Sequence, residues 1–126
     1  MPCCFAEDSE WSFEAPWSEG QRRDAPVRGP QGVADVVRGA YEHTLSFVIQ
    51  LIGVVDIVSI DGDVGHLYTF FEARNKSYTG RSIYLVGVYD DYVARFPTGW
   101  LFTRRAGQTI YWDDVPLPGN ALRLSI

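Results

Sequence analysis

The sequence contains little cysteine and little histidine. Its two cysteines, Cys3 and Cys4, are adjacent, and adjacent cysteines rarely bond to each other without strain. No further cysteine is present to build a disulfide framework, and this usage is typical of a reducing compartment. The two histidines, His43 and His66, add too few ligands at suitable spacing for a metal site. We therefore expect neither a disulfide nor a bound metal ion.

Basic side chains are also scarce. Lysine and arginine number 11 against 16 acidic residues, which makes the net charge −5. A nucleic-acid-binding surface needs clustered basic residues. The two basic doublets, Arg22-Arg23 and Arg104-Arg105, are more typical of solvated surface. The charge balance therefore argues against a nucleic-acid partner.

Long uninterrupted apolar runs are missing as well. The most apolar stretch, residues 45–60, is broken by Ser46, Gln50, Gly53 and Asp56 and is rich in β-branched residues. It predicts one or two buried strands and not a membrane span. The first residues lack the basic and apolar segments of a secretion signal. We expect a cytoplasmic protein with no membrane partner.

Apolar and aromatic residues, by contrast, are plentiful. Of 126 residues, 46% are hydrophobic and 14% are aromatic, enough for one domain over residues 1–126 with a substantial core. Aromatic side chains either line an apolar ligand pocket or fill a dense sheet core. The composition favours the pocket slightly and leaves both interpretations open.

The order of strand and helix patterns predicts an α+β protein. Alternation over residues 10–17 predicts a short strand ended by Pro16, followed by a loop over 18–30. Gly29-Pro30 opens a helix, because proline suits the first helical turn. Four strands follow, at about 45–60, 64–76, 81–95 and 100–112. This order favours one helix packed on a strongly curved antiparallel sheet.

Turn residues join the last strands into a meander. Asp61-Gly62-Asp63 separates two apolar strand patterns, and Asp-Gly tolerates the positive φ angles of a tight hairpin. Pro97-Thr98-Gly99 separates the last two strands, with proline suited to the second turn position. Three long antiparallel strands are therefore expected to follow one another.

Short segments between about Phe5 and Arg105 match the motifs of one protein family. FAEDSEW near the start resembles "YAEDAxW", and IDGD at 60–63 followed by Gly65 resembles "VDGDxA". GVYDD at 87–91 resembles "GRYxD", and GWLF at 99–102 with Arg105 resembles "GWRFxxR". In this order and spacing, the segments resemble the SnoaL-like family of the nuclear-transport-factor-2-like superfamily.

The resemblance implies a cone-shaped α+β fold with an apolar pocket, and often a homodimer formed through the sheet. Family members include polyketide cyclases and enzymes similar to scytalone dehydratase and ketosteroid isomerase. By resemblance we expect acid–base chemistry without a cofactor on an apolar substrate that carries a carbonyl group. The chain departs from the family in two places. Only four residues precede Phe5, where relatives usually carry N-terminal helices, so the chain is expected to be shortened at its start or to begin at an internal methionine. In addition, Ile49-Gln50-Leu51-Ile52 stands where dehydratase-like relatives place a general-base histidine.

Three residues are candidates for acid–base catalysis: His66, Asp90 and Asp91. An imidazole is a natural general base at neutral pH, and a cavity carboxylate would pair with it. Asp90 and Asp91 are adjacent on a strand and must face opposite sides of the sheet, so only one can enter a cavity. The alternative interpretations are a solvent-facing His66 and an ion pair between an aspartate and Arg95, Arg104 or Arg105.

Aromatic residues on the predicted strands are candidates for substrate binding: Tyr68, Tyr84, Tyr89 and Trp100. Of the strand tyrosines, Tyr68, Tyr84, Tyr89 and Tyr92 can donate a hydrogen bond to a ligand carbonyl, although strand tyrosines more often pack in a core. Two functions remain open. One is a small cyclase, isomerase or dehydratase, and the other is a non-catalytic module that binds a small apolar ligand or dimerises. We also expect a homodimer through the convex face of the sheet, because one helix cannot cover both faces.

Overall fold

The computed structural model describes residues 2–14, 26–116 and 118–119. After a short 3-10 turn (Pro2–Cys4), its elements are, in chain order, β1 (Phe5–Glu14), β2 (Val27–Arg28), α1 (Gly29–His43), β3 (Leu45–Asp61), β4 (Val64–Ser77), β5 (Ser82–Phe96) and β6 (Gly99–Asp114). The predicted break at Pro16 and most of the predicted loop over 18–30 lie outside the described residues. The helix and the four later strands occur where the sequence predicts them.

The six strands form one curved, unclosed sheet in the order β2-β1-β6-β5-β4-β3. The strands β3 to β6 pair antiparallel with their neighbours in sequence, which confirms the predicted meander. The first strand was predicted to begin at residue 10, which is wrong: β1 begins at Phe5. It runs parallel to β6, with Phe5 opposite Phe102, and this long-range partner extends it beyond its local pattern.

The helix α1 begins at a position that requires glycine. Gly29 has a φ of 69°, and a Cβ there would lie 3.0 Å from the carbonyl oxygen of Glu7. Pro30 follows in the first turn, and Val33 is completely buried against the rest of the protein. The helix ends where the N–H of Thr44 donates to the carbonyl of Ala40. Within the described residues, no helix has the length and apolar character needed to cross a bilayer.

Replacing Gly62 with valine is expected to lower the free energy of unfolding by about 1–3 kcal/mol. Gly62 has a φ of 59° in the β3–β4 turn, and a Cβ there would meet no atom within 4 Å. The loss therefore comes from the backbone conformation, which a β-branched residue resists. Urea unfolding measures it. Gly39→Val is the matched control, since a Cβ there also meets nothing, and it should be nearly neutral. Equal losses from the two variants would show that the turn is not strained.

The side chains of β5 alternate between two environments, and they define the two faces of the sheet. The core face carries the buried cluster of Phe71, Ala73, Ile83, Leu85 and Tyr89, with Phe13 and Trp112 packed against it. The outer face carries the intervening residues of β5, including Asp90 and Tyr92, which are less buried. The alternation confirms that Asp90 and Asp91 face opposite sides.

The prediction that residues 45–60 form a buried strand is wrong. β3 is the last strand of the sheet, and every residue from Ile49 to Asp61 is exposed. A run of β-branched residues indicates a strand, but its burial depends on what packs against it. In the described part of the chain, both faces of β3 remain largely open.

Candidate functional site

A histidine and an aspartate meet on the outer face of the sheet. His66 lies on β4 opposite Tyr92, and Asp90 lies on β5 opposite Tyr68, so the two residues are diagonal neighbours across one strand pair. Their side chains meet with 2.6 Å between Nε2 of His66 and Oδ1 of Asp90. Of the two candidate aspartates, Asp90 is the one that contacts His66, and the pair lies on the outer face of the sheet rather than on the core face where a cavity carboxylate was expected.

Two tyrosines hold the imidazole in place. The ring of Tyr92 stacks on His66 with 4.4 Å between centroids and 5° between planes. The ring of Tyr68 meets the imidazole edge-on at 5.2 Å. These contacts leave the side chain of His66 20% exposed and that of Asp90 37% exposed, so a ligand can reach both.

The contact with Asp90 also determines which nitrogen of His66 is available. A carboxylate favours the tautomer that donates its proton from Nε2, so Nδ1 carries the free lone pair. Among the described residues, Nδ1 has no hydrogen-bond partner. A positioned imidazole, backed by a carboxylate and open at its second nitrogen, is equipped to take up and return a proton.

Asp91 lies on the core face, and both of its carboxylate oxygens accept hydrogen bonds. Its side chain is 0% exposed, and it accepts two hydrogen bonds from Arg105, at 3.0 and 3.1 Å, and one from Thr69 at 2.8 Å. Burial raises the pKa of Asp91, while the charge of Arg105 and the hydrogen bonds from Thr69 and Arg105 act in the opposite direction. Asp91 therefore forms an ion pair with Arg105, which was the alternative to a catalytic role in the sequence analysis.

Arg105 and Tyr89 complete this buried group. The guanidinium of Arg105 lies 3.9 Å from the ring centre of Tyr89 and 4.4 Å from that of Phe102. The hydroxyl of Tyr89 accepts a hydrogen bond from Gln50 at 3.2 Å, and burial raises the pKa of Tyr89. Tyr89 therefore belongs with Asp91 and not with His66.

The other two candidate aromatic residues lie away from the histidine–aspartate pair. Tyr84 is near the opposite end of β5, with Arg74 5.7 Å from its ring centre. Trp100 is at the start of β6, where Arg95 lies 4.9 Å from its ring centre. Of the tyrosines that the sequence offers as ligand contacts, the structure brings Tyr68 and Tyr92 to His66.

The sequence names Tyr92 as a possible ligand contact but does not predict that its ring stacks on His66. The signal for that contact is the β4–β5 register. Had His66 been placed opposite Tyr92 across the strand pair, the stacking would have followed. Motif spacing carries no such register.

Comparison with solved structures identifies the fold. A hexachlorocyclohexane dehydrochlorinase, LinA type 2, superposes with a TM-score of 0.79 at 16% identity, covering 96% of this chain and 77% of that one. A scytalone dehydratase-like protein from Novosphingobium aromaticivorans superposes with a TM-score of 0.72 at 19% identity, covering 93% and 73%. A ketosteroid isomerase-like protein from Erwinia carotovora gives 0.66 at 15% identity, covering 87% and 78%.

The chain therefore has the α+β cone fold of the nuclear-transport-factor-2-like superfamily, as the motif resemblance predicts. No protein-family model and no curated protein matches the sequence. Because a fold hosts many activities, function has to be argued from the site.

Proposed function

We propose that the protein is a small acid–base enzyme of the isomerase, dehydratase or cyclase type, acting without a cofactor on an apolar carbonyl compound. The observation that carries the proposal is the 2.6 Å contact between His66 and Asp90, with the imidazole 20% exposed beside two tyrosine rings. The rings of Tyr68 and Tyr92 offer an apolar surface to a substrate at the same place.

In the proposed reaction, Nδ1 of His66 removes a proton from the carbon next to the substrate carbonyl. The electron pair of that C–H bond forms a carbon–carbon double bond, and the π electrons of the carbonyl move to its oxygen, which gives an enolate. Asp90 stabilises the resulting imidazolium, and the hydroxyl of Tyr68 or Tyr92 donates a hydrogen bond to the enolate oxygen. The imidazolium then returns the proton, either to another carbon in isomerisation or to a departing hydroxyl in dehydration.

The structural neighbours lend support at the level of reaction type. The names dehydrochlorinase, scytalone dehydratase-like and ketosteroid isomerase-like denote eliminations and isomerisations. Both kinds of reaction depend on moving a proton from carbon, which a positioned imidazole can do.

The test is exchange of α-protons with solvent deuterium, because it requires no knowledge of the natural substrate. A panel of apolar enolisable ketones is incubated in heavy water with the protein, and loss of the α-proton signal is followed by NMR. We expect the parent protein to accelerate exchange of at least one ketone, and the His66→Ala/Asp90→Asn double variant to lose that acceleration. His43→Ala is the control, since His43 lies at the exposed end of α1. If no ketone in the panel exchanges its α-protons faster with the protein than in buffer alone, the proposed enzymatic activity is wrong.

The core face supports a second candidate function, that of a non-catalytic module that binds a small apolar ligand. There, Asp91 is sealed by Arg105 and Thr69, and the rings of Phe13, Phe71 and Tyr89 pack together at 4.6 to 6.2 Å. A carboxylate with every oxygen occupied suits a stable binding module better than a catalyst. The same NMR samples distinguish the two functions, because saturation transfer from protein to ketone without deuterium exchange indicates binding alone.

A further inference from the structure

The edge strand β3 presents an apolar surface that the described part of the chain leaves open. Among the described strands, β3 pairs along one edge only, with β4. Eight large apolar side chains between 49 and 60 are 43% to 60% exposed: Ile49, Leu51, Ile52, Val54, Val55, Ile57, Val58 and Ile60. A monomer rarely exposes so continuous an apolar surface, and an unprotected edge strand is a template for another strand.

The exposed side chains lie on both faces of the sheet. Val54 is opposite Phe70 on the outer face, whereas Val55 is opposite Thr69 on the core face. An occupant that covered one face alone would leave the other face and the free backbone groups of the edge in water. An extended strand paired to this edge satisfies the free backbone groups, and its apolar side chains lie beside those of β3 on both faces.

We propose that the free edge of β3 pairs antiparallel with β3 of a second copy of this chain, about a two-fold axis near Gly53. At about 3.3 Å per residue, the 17 residues of β3 span about 56 Å. The same strand in a second copy has the required length, edge and apolar side chains, and a two-fold axis lets the two free edges pair with each other. The expected homodimer is thereby retained, and its contact moves from the face of the sheet to its edge.

The irregularities of β3 agree with this arrangement. The register with β4 shifts between Ile52 and Val54, which leaves regular segments at 47–52 and 54–57 on either side of Gly53. Antiparallel pairing about Gly53 places the first segment of one copy opposite the second segment of the other. Residues 49–52 of one copy then meet residues 54–57 of the other, which are regular in both, and the shift at Gly53 lies at the axis; the shifts near residues 46 and 58 lie outside this central segment.

The single charge on the strand selects the antiparallel orientation. Asp56 is the one charged residue between 45 and 60. About an axis at Gly53, the two Asp56 residues lie about six positions or 20 Å apart, beyond the screening length of about 8 Å. Parallel stacking in register would place Asp56 directly beside Asp56, which is unfavourable. A discrete dimer is thus favoured over open-ended stacking.

Sedimentation equilibrium tests the pairing. The parent protein should be a dimer at micromolar concentration, and Val54→Lys/Ile57→Lys, with a charge on the exposed edge strand, should raise the dissociation constant about 100-fold or more. The control is Ile110→Lys, because Ile110 is 58% exposed, the same as Ile57, but lies on β6. It should leave the dimer intact. A monomeric parent protein, or a control that disrupts the dimer equally, would overturn the proposal.

Cross-linking tests the orientation independently of dimer strength. In a background with Cys3 and Cys4 replaced by serine, Val54→Cys is compared with Ile60→Cys, since both positions are 60% exposed. Antiparallel pairing places the two copies of residue 54 about 7 Å apart along the strand and those of residue 60 about 46 Å apart. A short bismaleimide should therefore join the first variant and not the second. Cross-linking of both variants, or of neither, would refute the two-fold arrangement.

Discussion

Replacing His66 with alanine should reduce the rate of α-proton exchange by about 100- to 10,000-fold, the usual contribution of a general base. The reason is geometric. The described part of the outer face offers one imidazole, and its Nε2 is held by Asp90 at 2.6 Å, so that Nδ1 is the nitrogen left to accept a proton. The rate is measured by deuterium exchange, under the conditions used for the parent protein.

Chemical rescue separates a catalytic role from a structural one. Adding imidazole to the His66→Ala variant should restore part of the exchange rate, because a free base can enter the space between Tyr68 and Tyr92. The Asp90→Asn variant should also be slow but should gain little from imidazole, since its own His66 fills that space. Circular dichroism should show unchanged folding in both variants. An Ala variant that exchanges protons at the parent rate would remove His66 from the mechanism.

Replacing Asp91 with asparagine should lower the free energy of unfolding by about 3–5 kcal/mol, the loss expected when one partner of a buried ion pair is removed. Asp91 is 0% exposed and its partner Arg105 is 13% exposed, so the guanidinium would be left without its counter-charge in a poorly solvated position. Urea unfolding at neutral pH gives the value.

The control for Asp91 is an ion pair of the same residue types on the surface. Asp63 and Arg95 are 3.9 Å apart, with side chains 78% and 59% exposed. Solvent screening makes such pairs worth little, so Asp63→Asn should change the unfolding free energy by less than about 1 kcal/mol. Similar losses at the two aspartates would show that burial does not set the strength of the Asp91–Arg105 pair.

The pH dependence supplies a second measurement on Asp91. Burial raises the pKa of this carboxyl in the folded protein, so the folded state holds the proton more tightly than the unfolded state. The contribution of the group to stability is therefore complete below the ordinary carboxyl pKa, and it is lost as pH rises through the higher folded value. Subtracting the Asp91→Asn profile from the parent profile isolates this slope, which should be negative with increasing pH. A difference that is flat or rises with pH would show that the pKa is not raised.

The four long strands and the helix could be predicted from the sequence because their signals are local. Alternating apolar residues mark the strands, Gly62 sits where a tight turn needs a positive φ, and Pro30 marks the helix start. Alternation also placed Asp90 and Asp91 on opposite faces, since consecutive strand residues point in opposite directions. These properties need no knowledge of distant neighbours.

The remaining features depend on residues far apart in the chain. The pairing of His66 with Asp90 follows from the register between β4 and β5, and the burial of Asp91 follows from Arg105 reaching it across the β5–β6 pair. The exposure of β3 follows from its place at the edge of the sheet, although its apolar residues favoured a buried strand. Local pattern determined which residues form strands and which way they face. Strand order and register, set by packing across the whole sheet, determined which side chains meet and which remain in water.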